Sequence, residues 1–334
     1  MYVALAIAAS LILIAIAGFV WQQIGVRRDR RRWPAPGVLV DVDGLPLHLY
    51  VAGKGTPAVI FESGIAATTL NWTAVQARVA EFAQTVSYDR AGLGFSGPAR
   101  TPRTPSHIVE ELRSVLRRAG IRPPYVLVGH SFGGLVMRWF AAHYPPEVAA
   151  VILVDPLRPE DWTPVSDQQK QMLARGVMLL GRGSALAQFG IVRFCLSAVL
   201  TGRRVLPRLI GKAASGSGAR VMDRIAGEIG KMPAEIWPVI AAHWSNAASF
   251  AGLRAHLRDL PESIREIASA PPIRGIPVTF ITAGREPPVS EAVVRAVSPD
   301  AKHVVASASG HWIHLDEPEL VVHAIREAVN AAQE

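Results

Sequence analysis

The stretch Tyr125-Val126-Leu127-Val128-Gly129-His130-Ser131-Phe132-Gly133-Gly134 decides the fold of this chain. It contains the pattern G-x-S-x-G with Ser131 at its centre. The apolar run before the pattern predicts a buried strand, and residues 135–142 after it predict a buried helix. In a bend of this kind the serine takes a strained backbone conformation, and the glycines let strand and helix approach closely. The stretch therefore predicts a nucleophilic serine whose hydroxyl points into a pocket.

The first 26 residues form an uncharged and almost continuously apolar segment. A segment of this length can span a bilayer as a helix, so residues 1–26 predict a single-pass transmembrane anchor. The arginine-rich residues 27–32 and the Trp-Pro-Ala-Pro that follows predict a basic linker over 27–36. Arginines on this flank favour a cytoplasmic catalytic domain. The alternative is a cleavable signal peptide with a site near Ala15-Ile16-Ala17, although no basic residue precedes the apolar run.

Beyond the linker, apolar runs of strand length alternate with amphipathic segments of helical period. Two strands around the turn Asp43-Gly44 predict a hairpin. The alternation predicts an α/β fold with a mostly parallel central sheet covered by helices on both faces. The core is assigned to residues 37–156 and 271–334. Residues 157–270 interrupt the alternation, are helical by pattern and are too long for a loop, so they predict an inserted helical cap.

Charge is unevenly distributed along the chain, whose formal net charge is +8. Residues 168–222 contain nine Lys or Arg and no Asp or Glu. Because the excess is confined to this segment and to the arginines after the anchor, it does not predict nucleic-acid binding. In the cap, apolar residues are interleaved with arginines, which suits an acyl pocket, an anionic membrane surface or an ordinary solvated helical face. Residues 213–219, rich in Ala, Ser and Gly, predict a hinge within the cap.

The sequence contains few patterns that are typical of disulfide, metal or cofactor sites. The single cysteine, Cys195, excludes an internal disulfide, and no zinc-ligand spacing is present. The glycines of residues 92–97 match G-x-G-x-x-G, but Pro98 and Pro102 follow where a dinucleotide site needs a helix. The sequence therefore predicts no metal and no organic cofactor.

Several segments together resemble the α/β-hydrolase superfamily, in its serine-nucleophile branch of esterases and lipase-like enzymes. The resemblance covers about residues 37–334. It is carried by these segments: Phe61-Glu62-Ser63-Gly64-Ile65, Tyr88 to Ser96, Gly129 to Gly134, Leu153-Val154-Asp155-Pro156 and Gly310 to Pro318. Their order along the chain, with nucleophile, acid and histidine in turn, also matches.

The resemblance implies a catalytic triad built on Ser131. It assigns the base to His311, which follows a glycine ahead of the final helix; His314 is the backup candidate. Relatives often carry the acid three residues after a glycine in the loop past the strand at 276–282, but Pro287 occupies that position here. Two candidates remain open, with Asp155 favoured over Glu286. Asp316 is expected to cap the final helix.

The resemblance also implies an oxyanion hole made of two backbone N–H groups, those of Phe132 and Ile65. The chain is therefore expected to be a serine hydrolase that cleaves a hydrophobic or lipid-like carboxylic ester through an acyl-enzyme. Cleavage of amides, peptides or C–C bonds is an alternative on the same fold. A non-catalytic homologue that only binds a ligand is another alternative.

Overall fold

The structure is a computed structural model that describes residues 1–200, 227 and 229–334. The hinge predicted at residues 213–219 lies outside these described residues. The described chain divides into two compact units. One comprises Met1–Ala35 with Arg175–Arg254, and the other comprises Pro36–Ala174 with Ala255–Glu334.

The second unit contains a sheet whose strands follow the order β1-β2-β4-β3-β5-β6-β7-β8. β1 and β2 pair antiparallel, as do β2 and β4, and the remaining neighbours are parallel. The predicted α/β fold with a mostly parallel sheet is therefore confirmed. The strands are β1 Val38–Val42, β2 Leu45–Ala52, β3 Ala58–Glu62, β4 Thr85–Tyr88, β5 Tyr125–His130, β6 Val148–Val154, β7 Val278–Ala283 and β8 Lys302–Ala306.

Helices occupy the connections between the strands from β3 onward, and short 3-10 turns lie at 69–72, 145–147, 159–162 and 234–236. The described α-helices are α1 Tyr2–Arg32, α2 Thr73–Val79, α3 Pro105–Arg118, α4 Phe132–His143, α5 Asp167–Gln188, α6 Ile191–Leu200, α7 Trp237–Trp244, α8 Ala247–Ala268, α9 Glu291–Val297, α10 Ile313–Asp316 and α11 Pro318–Ala331.

Two hydrophobic clusters cover the two faces of the sheet. α3, α4 and the end of α8 contribute to one cluster, whereas α2 and α11 contribute to the other. Central strands such as β3 and β5 are buried along their whole length, as expected where helices cover both faces. Leu260, Ile264 and Ile267 of α8 belong to the core cluster. The second segment of the sheet-containing unit begins at Ala255, whereas the sequence assigned residues 271–334 to the second part of the core.

The first unit contains α1, α6 and α7, together with most of α5 and the start of α8. All described elements of residues 157–270 are helical, as the sequence predicts. α1 is long and apolar enough to cross a membrane, and no residue of its most apolar 18-residue window is buried. The helix continues through the arginine run to Arg32, where a linker was expected from residue 27, because arginine is a good helix former. The linker begins only at Trp33.

Candidate active site

The turn between β5 and α4 carries Ser131 in a strained conformation, with φ +54° and ψ −119°. Few residues other than glycine adopt such angles, so the surrounding packing must hold them. A β-carbon on Gly129 would lie 2.5 Å from the carbonyl oxygen of Gly133, and one on Gly133 would lie 2.4 Å from that of Glu62. Glycine is therefore required on both sides of the serine, as the sequence pattern predicts.

A short hydrogen bond joins the ring of His311 to Asp155. Nδ1 of His311 lies 2.6 Å from Oδ2 of Asp155, and both side chains are about four-fifths shielded from solvent. Asp155 follows β6 in a left-handed conformation, with φ +39°, and its Oδ1 accepts a hydrogen bond from the N–H of Ala283 at 3.2 Å. A carboxylate accepting from Nδ1–H leaves Nε2 unprotonated, which is the tautomer that a general base needs.

The second acid candidate, Glu286, lies in an exposed turn after β7. Its backbone N–H donates to the carbonyl of Ala283 at 3.4 Å. Nδ1 of His311 is bonded to Asp155 instead. Of the two candidates that the sequence leaves open, the structure thus brings Asp155 to the histidine.

Two further histidines flank His311. The ring of His130 lies 4.7 Å from that of His311, and its Nε2 lies 2.9 Å from the His311 carbonyl oxygen. His314, the backup base, is buried, with ring centroids 4.4 Å from His130 and 4.7 Å from Trp72. His314 thus packs against these aromatic rings, whereas His311 pairs with the carboxylate of Asp155.

Asp316 does not cap the final helix, contrary to the expectation from the sequence. α11 begins at Pro318 with Glu317 at its N-cap position. Asp316 instead ends the short α10, and its Oδ2 accepts from Ser309 Oγ at 3.1 Å and from the N–H of Gly310 at 3.3 Å. Both donors immediately precede His311, so Asp316 braces the loop that presents the histidine.

The two expected oxyanion donors belong to segments that meet at Ser131. Phe132 is the first residue of α4, where backbone N–H groups have no partner within the helix. Gly64 precedes Ile65, and a β-carbon built on Gly64 would lie 3.6 Å from Cβ of Ser131. The loop after β3 therefore passes directly beside the serine.

Two buried charged residues beneath this loop were not assigned a role from the sequence. Nη1 of Arg90 donates to the carbonyl of Ser63 at 3.1 Å, and Nη2 donates to the carbonyl of Gly64. In a trans peptide the C=O and the following N–H point in opposite directions. Because Arg90 holds the Gly64 carbonyl, the N–H of Ile65 is directed away from the guanidinium.

Glu62 balances the charge of Arg90. Its Oε1 lies 3.3 Å from Nη1 of Arg90 and accepts from the N–H of Ser63 at 3.0 Å, while Tyr88 Oη donates to Oε2. Burial raises the pKa of the Glu62 carboxyl despite the opposing effects of Arg90, Tyr88 and the Ser63 N–H. Burial likewise lowers the pKa of Arg90, although a guanidinium remains charged. The carboxylate is thus satisfied by three donors, as buried charges require.

Arg90 also reaches the other half of the expected oxyanion hole. Its guanidinium carbon lies 5.1 Å from the ring centroid of Phe132. One residue therefore contacts both segments that carry the expected donors. In the sequence, a single acidic residue, Glu62, ends an apolar strand. A charge buried there needs a partner of opposite sign, so Glu62 indicates a buried basic residue. The sequence could not say which of the many arginines supplies it.

Among the residues that the structure describes, no group of three or more His, Cys, Asp or Glu side chains is arranged to hold a metal ion.

A profile described as the alpha/beta hydrolase fold matches residues 57–318. The chain is 28% identical over 196 residues to the uncharacterized protein YbdG of Bacillus subtilis, a match covering 58% of each chain. It is 25% identical to the 2-(acetamidomethylene)succinate hydrolase of Mesorhizobium japonicum over 87% of this chain and 94% of that protein. The chain thus spans little more than half the length of the first of these relatives.

Among solved structures, the chain is similar to a thermophilic esterase from Thermogutta terrifontis. The TM-score is 0.58 at 20% identity, and the match covers 89% of this chain and 98% of the esterase. At this identity the likeness concerns the fold.

Proposed function

Because this chain belongs to the alpha/beta hydrolase fold family, we propose that it is a serine hydrolase that cleaves carboxylic esters through an acyl-enzyme on Ser131. The observation that carries the proposal is the 2.6 Å hydrogen bond from His311 to Asp155, in a unit where Ser131 occupies a strained strand-to-helix turn. A positioned imidazole and a nucleophilic serine hydroxyl are the two side-chain groups that acyl transfer through a serine requires.

In the proposed reaction, Oγ of Ser131 attacks the ester carbonyl carbon while Nε2 of His311 takes the hydroxyl proton. The carbonyl oxygen becomes an oxyanion that accepts hydrogen bonds from the N–H groups of Phe132 and Ile65. The C–O bond to the alcohol breaks, and His311 returns the proton to the leaving alkoxide. Water then attacks the acyl-enzyme, giving its proton to His311, and the acid is released as Ser131 is restored. Asp155 stabilises the imidazolium in both steps.

A fluorophosphonate probe tests this proposal directly. We expect it to label the full-length protein at Ser131, as identified by peptide mass spectrometry. His311→Ala should react about 10²–10⁴-fold more slowly, because the hydroxyl has lost its general base. Glu286→Gln should react like the wild type. An inert Ser131 in a folded protein would instead favour the alternative of a homologue that only binds its ligand.

We further propose that Arg90 is a positioning residue for the oxyanion hole. It binds the Ser63 and Gly64 carbonyls that orient the Ile65 peptide, and it contacts the ring of Phe132. It acts through these groups and not on the substrate.

The variant Arg90→Lys tests the positioning role, because lysine keeps a positive charge for Glu62 but cannot donate from a fixed fork to two carbonyls. We expect kcat for p-nitrophenyl butyrate to fall by about 10²-fold, the cost of losing one oxyanion donor. KM should change less than threefold or so, because the oxyanion forms only in the transition state. Unchanged kcat in a folded variant would show that the loop holds its shape without the fork. Thermal unfolding serves as the check on folding.

The proposed substrates are hydrophobic esters. The apolar residues of the cap and the apolar α1 support this class. Across p-nitrophenyl esters from acetate to octanoate, kcat/KM should rise about fourfold per added methylene until the pocket is filled, since burying each CH₂ contributes about 0.8 kcal/mol. A profile that falls steadily from acetate onward would contradict a hydrophobic acyl pocket.

Amide hydrolysis is the second candidate, and one comparison favours it. The M. japonicum relative, matched over 87% of this chain, is named as the hydrolase of a compound with an acetamido group. A matched series of p-nitroanilides would test this candidate, because an amidase should release p-nitroaniline at a measurable rate that Ser131→Ala abolishes, whereas an esterase should turn over the esters alone.

We also propose that α1 anchors the protein in a membrane. Its length, its apolar composition and its exposure support an anchor. The arginines after it favour a cytoplasmic catalytic domain. A cleavable signal sequence remains the alternative, and intact-mass measurement of the purified protein would reveal cleavage after Ala17.

A further inference from the structure

The end of α1 packs against α6 and α7 within the first compact unit. Nε2 of Gln22 donates to the carbonyl of Ser245 at 2.7 Å, and Nε of Arg193 donates to Oε1 of Gln22 at 2.8 Å. Nη1 of Arg193 also forms an ion pair with Asp29 at 2.6 Å. Gln22 is only 2% exposed. The C-terminal third of α1 is therefore part of a folded unit and not a free tether.

α1 also approaches the turn between α5 and α6 closely. A β-carbon on Gly18 would lie 2.6 Å from the carbonyl oxygen of Phe189. Gly190 has φ +77°, and a β-carbon on it would lie 2.6 Å from the ring of Trp21. Helix and turn thus touch through their backbones, which places Phe189 at the level of Gly18.

Gly18, and with it Phe189, lies near the end of the apolar part of α1. Residues 2–20 would extend about 28 Å at 1.5 Å per residue, close to the roughly 30 Å of a bilayer's hydrocarbon core. Gly18 lies in the last turn of that stretch. Arg27, the first of the arginines, lies about 10 Å beyond residue 20 along the helix, at the depth of the lipid headgroups. A membrane spanned by α1 would therefore have its interface at the α5–α6 turn.

Apolar side chains surround this turn and are exposed. We call them the apolar turn: Leu186, Phe189, Ile191 and Phe194, which are 42–59% exposed. Large apolar side chains clustered on a surface indicate an interaction site. Next to them, Arg193 joins the turn to the arginine-rich end of α1, so the surface combines apolar and basic groups, as interfacial membrane segments do.

We propose that the apolar turn inserts into the interfacial region of the bilayer that α1 spans, so that lipid is its partner. The proposal rests on the proposed membrane anchor and adds a second point of contact. The contacts through Gln22, Asp29 and Gly190 fix the apolar turn to α1. The depth of the turn in the bilayer is therefore set by the position of α1. The protein is then held at the membrane by two elements, the spanning helix α1 and the apolar turn at the interface.

The test uses the full chain in liposomes of phosphatidylcholine with phosphatidylglycerol. Cys195 is the only cysteine, so Cys195→Ser gives a background for single labelling sites. The fluorophore NBD is attached at Phe194→Cys in the turn, at Leu11→Cys in the middle of the anchor and at His323→Cys on the exposed face of α11. Lipids carrying a nitroxide at acyl carbon 5 or 12 report the depth of each label.

We expect the label at 194 to be quenched at least twofold by the nitroxide at carbon 5 and less by that at carbon 12. The label at 11 should show the reverse order, and the label at 323 should be quenched by neither. Quenching at 11 without quenching at 194 would overturn the proposal while leaving the anchor intact. No quenching at either site would overturn both. A blue-shifted but unquenched label at 194 would mean that protein covers the turn, as in a second copy of the chain, and would also overturn it.

Discussion

Replacing Ser131 by alanine should lower kcat for p-nitrophenyl butyrate by about 10⁵–10⁶-fold, the loss found when a serine nucleophile is removed from a triad. The residue at this position takes φ +54° whichever side chain it carries. Because serine and alanine share the same β-carbon, the substitution adds no backbone strain, and the thermal unfolding midpoint should shift by less than about 2 °C. The fall in kcat should therefore reflect the missing nucleophile and not a change in the fold.

The matched control is Ser269→Ala, at an exposed serine just after α8. It should leave kcat and KM unchanged. If Ser131→Ala keeps more than about 1% of the wild-type kcat, the nucleophile is another residue and the proposed mechanism is wrong.

Replacing Asp155 by asparagine should lower kcat by about 10³–10⁴-fold. The amide group would present a donor or a weak acceptor to Nδ1 of His311. The tautomer with the proton on Nδ1 is then no longer favoured, and Nε2 is no longer free to accept the serine proton. Asparagine tolerates the left-handed conformation at φ +39°, and its oxygen can still accept from the N–H of Ala283. The variant should therefore fold, and the measurement is kcat at pH 8 together with circular dichroism.

Glu286→Gln is the companion variant, because it makes the same chemical change at the other candidate acid. We expect no more than a twofold or so reduction in kcat, since Glu286 lies exposed after β7 while Asp155 holds the histidine. A large loss with Glu286→Gln and a small one with Asp155→Asn would assign the acid to Glu286.

Much of the fold could be predicted from local patterns. The hairpin around Asp43-Gly44 joins β1 to β2, as its turn residues indicate. The helices at Glu291–Val297 and Pro318–Ala331 are two of the amphipathic segments whose helical period the sequence shows. These features depend on the period of apolar residues and on turn-forming residues, which are properties of short segments. The family was also confirmed, because its motifs are contiguous and occur in a characteristic order.

The pairing of charged residues could not be predicted in the same way. Asp155 and His311 are 156 positions apart, and the sequence offered Glu286 as a rival close to the same loop. Asp316 was expected to cap a helix and instead braces the loop before His311. A short polar residue before a helix suits either role, and only the path of the chain decides which donors reach it.

The sequence by itself determined the fold family, the position of the expected nucleophile and the apolar first helix, because each is written in a contiguous pattern of glycines or apolar residues. Only the tertiary structure decided that Asp155 reaches His311, that Arg90 holds the loop beside Ser131 and that Gln22 is buried against Ser245. The physical reason is that a hydrogen bond requires atoms within about 3 Å, a condition set by how distant segments pack and not by their spacing along the chain.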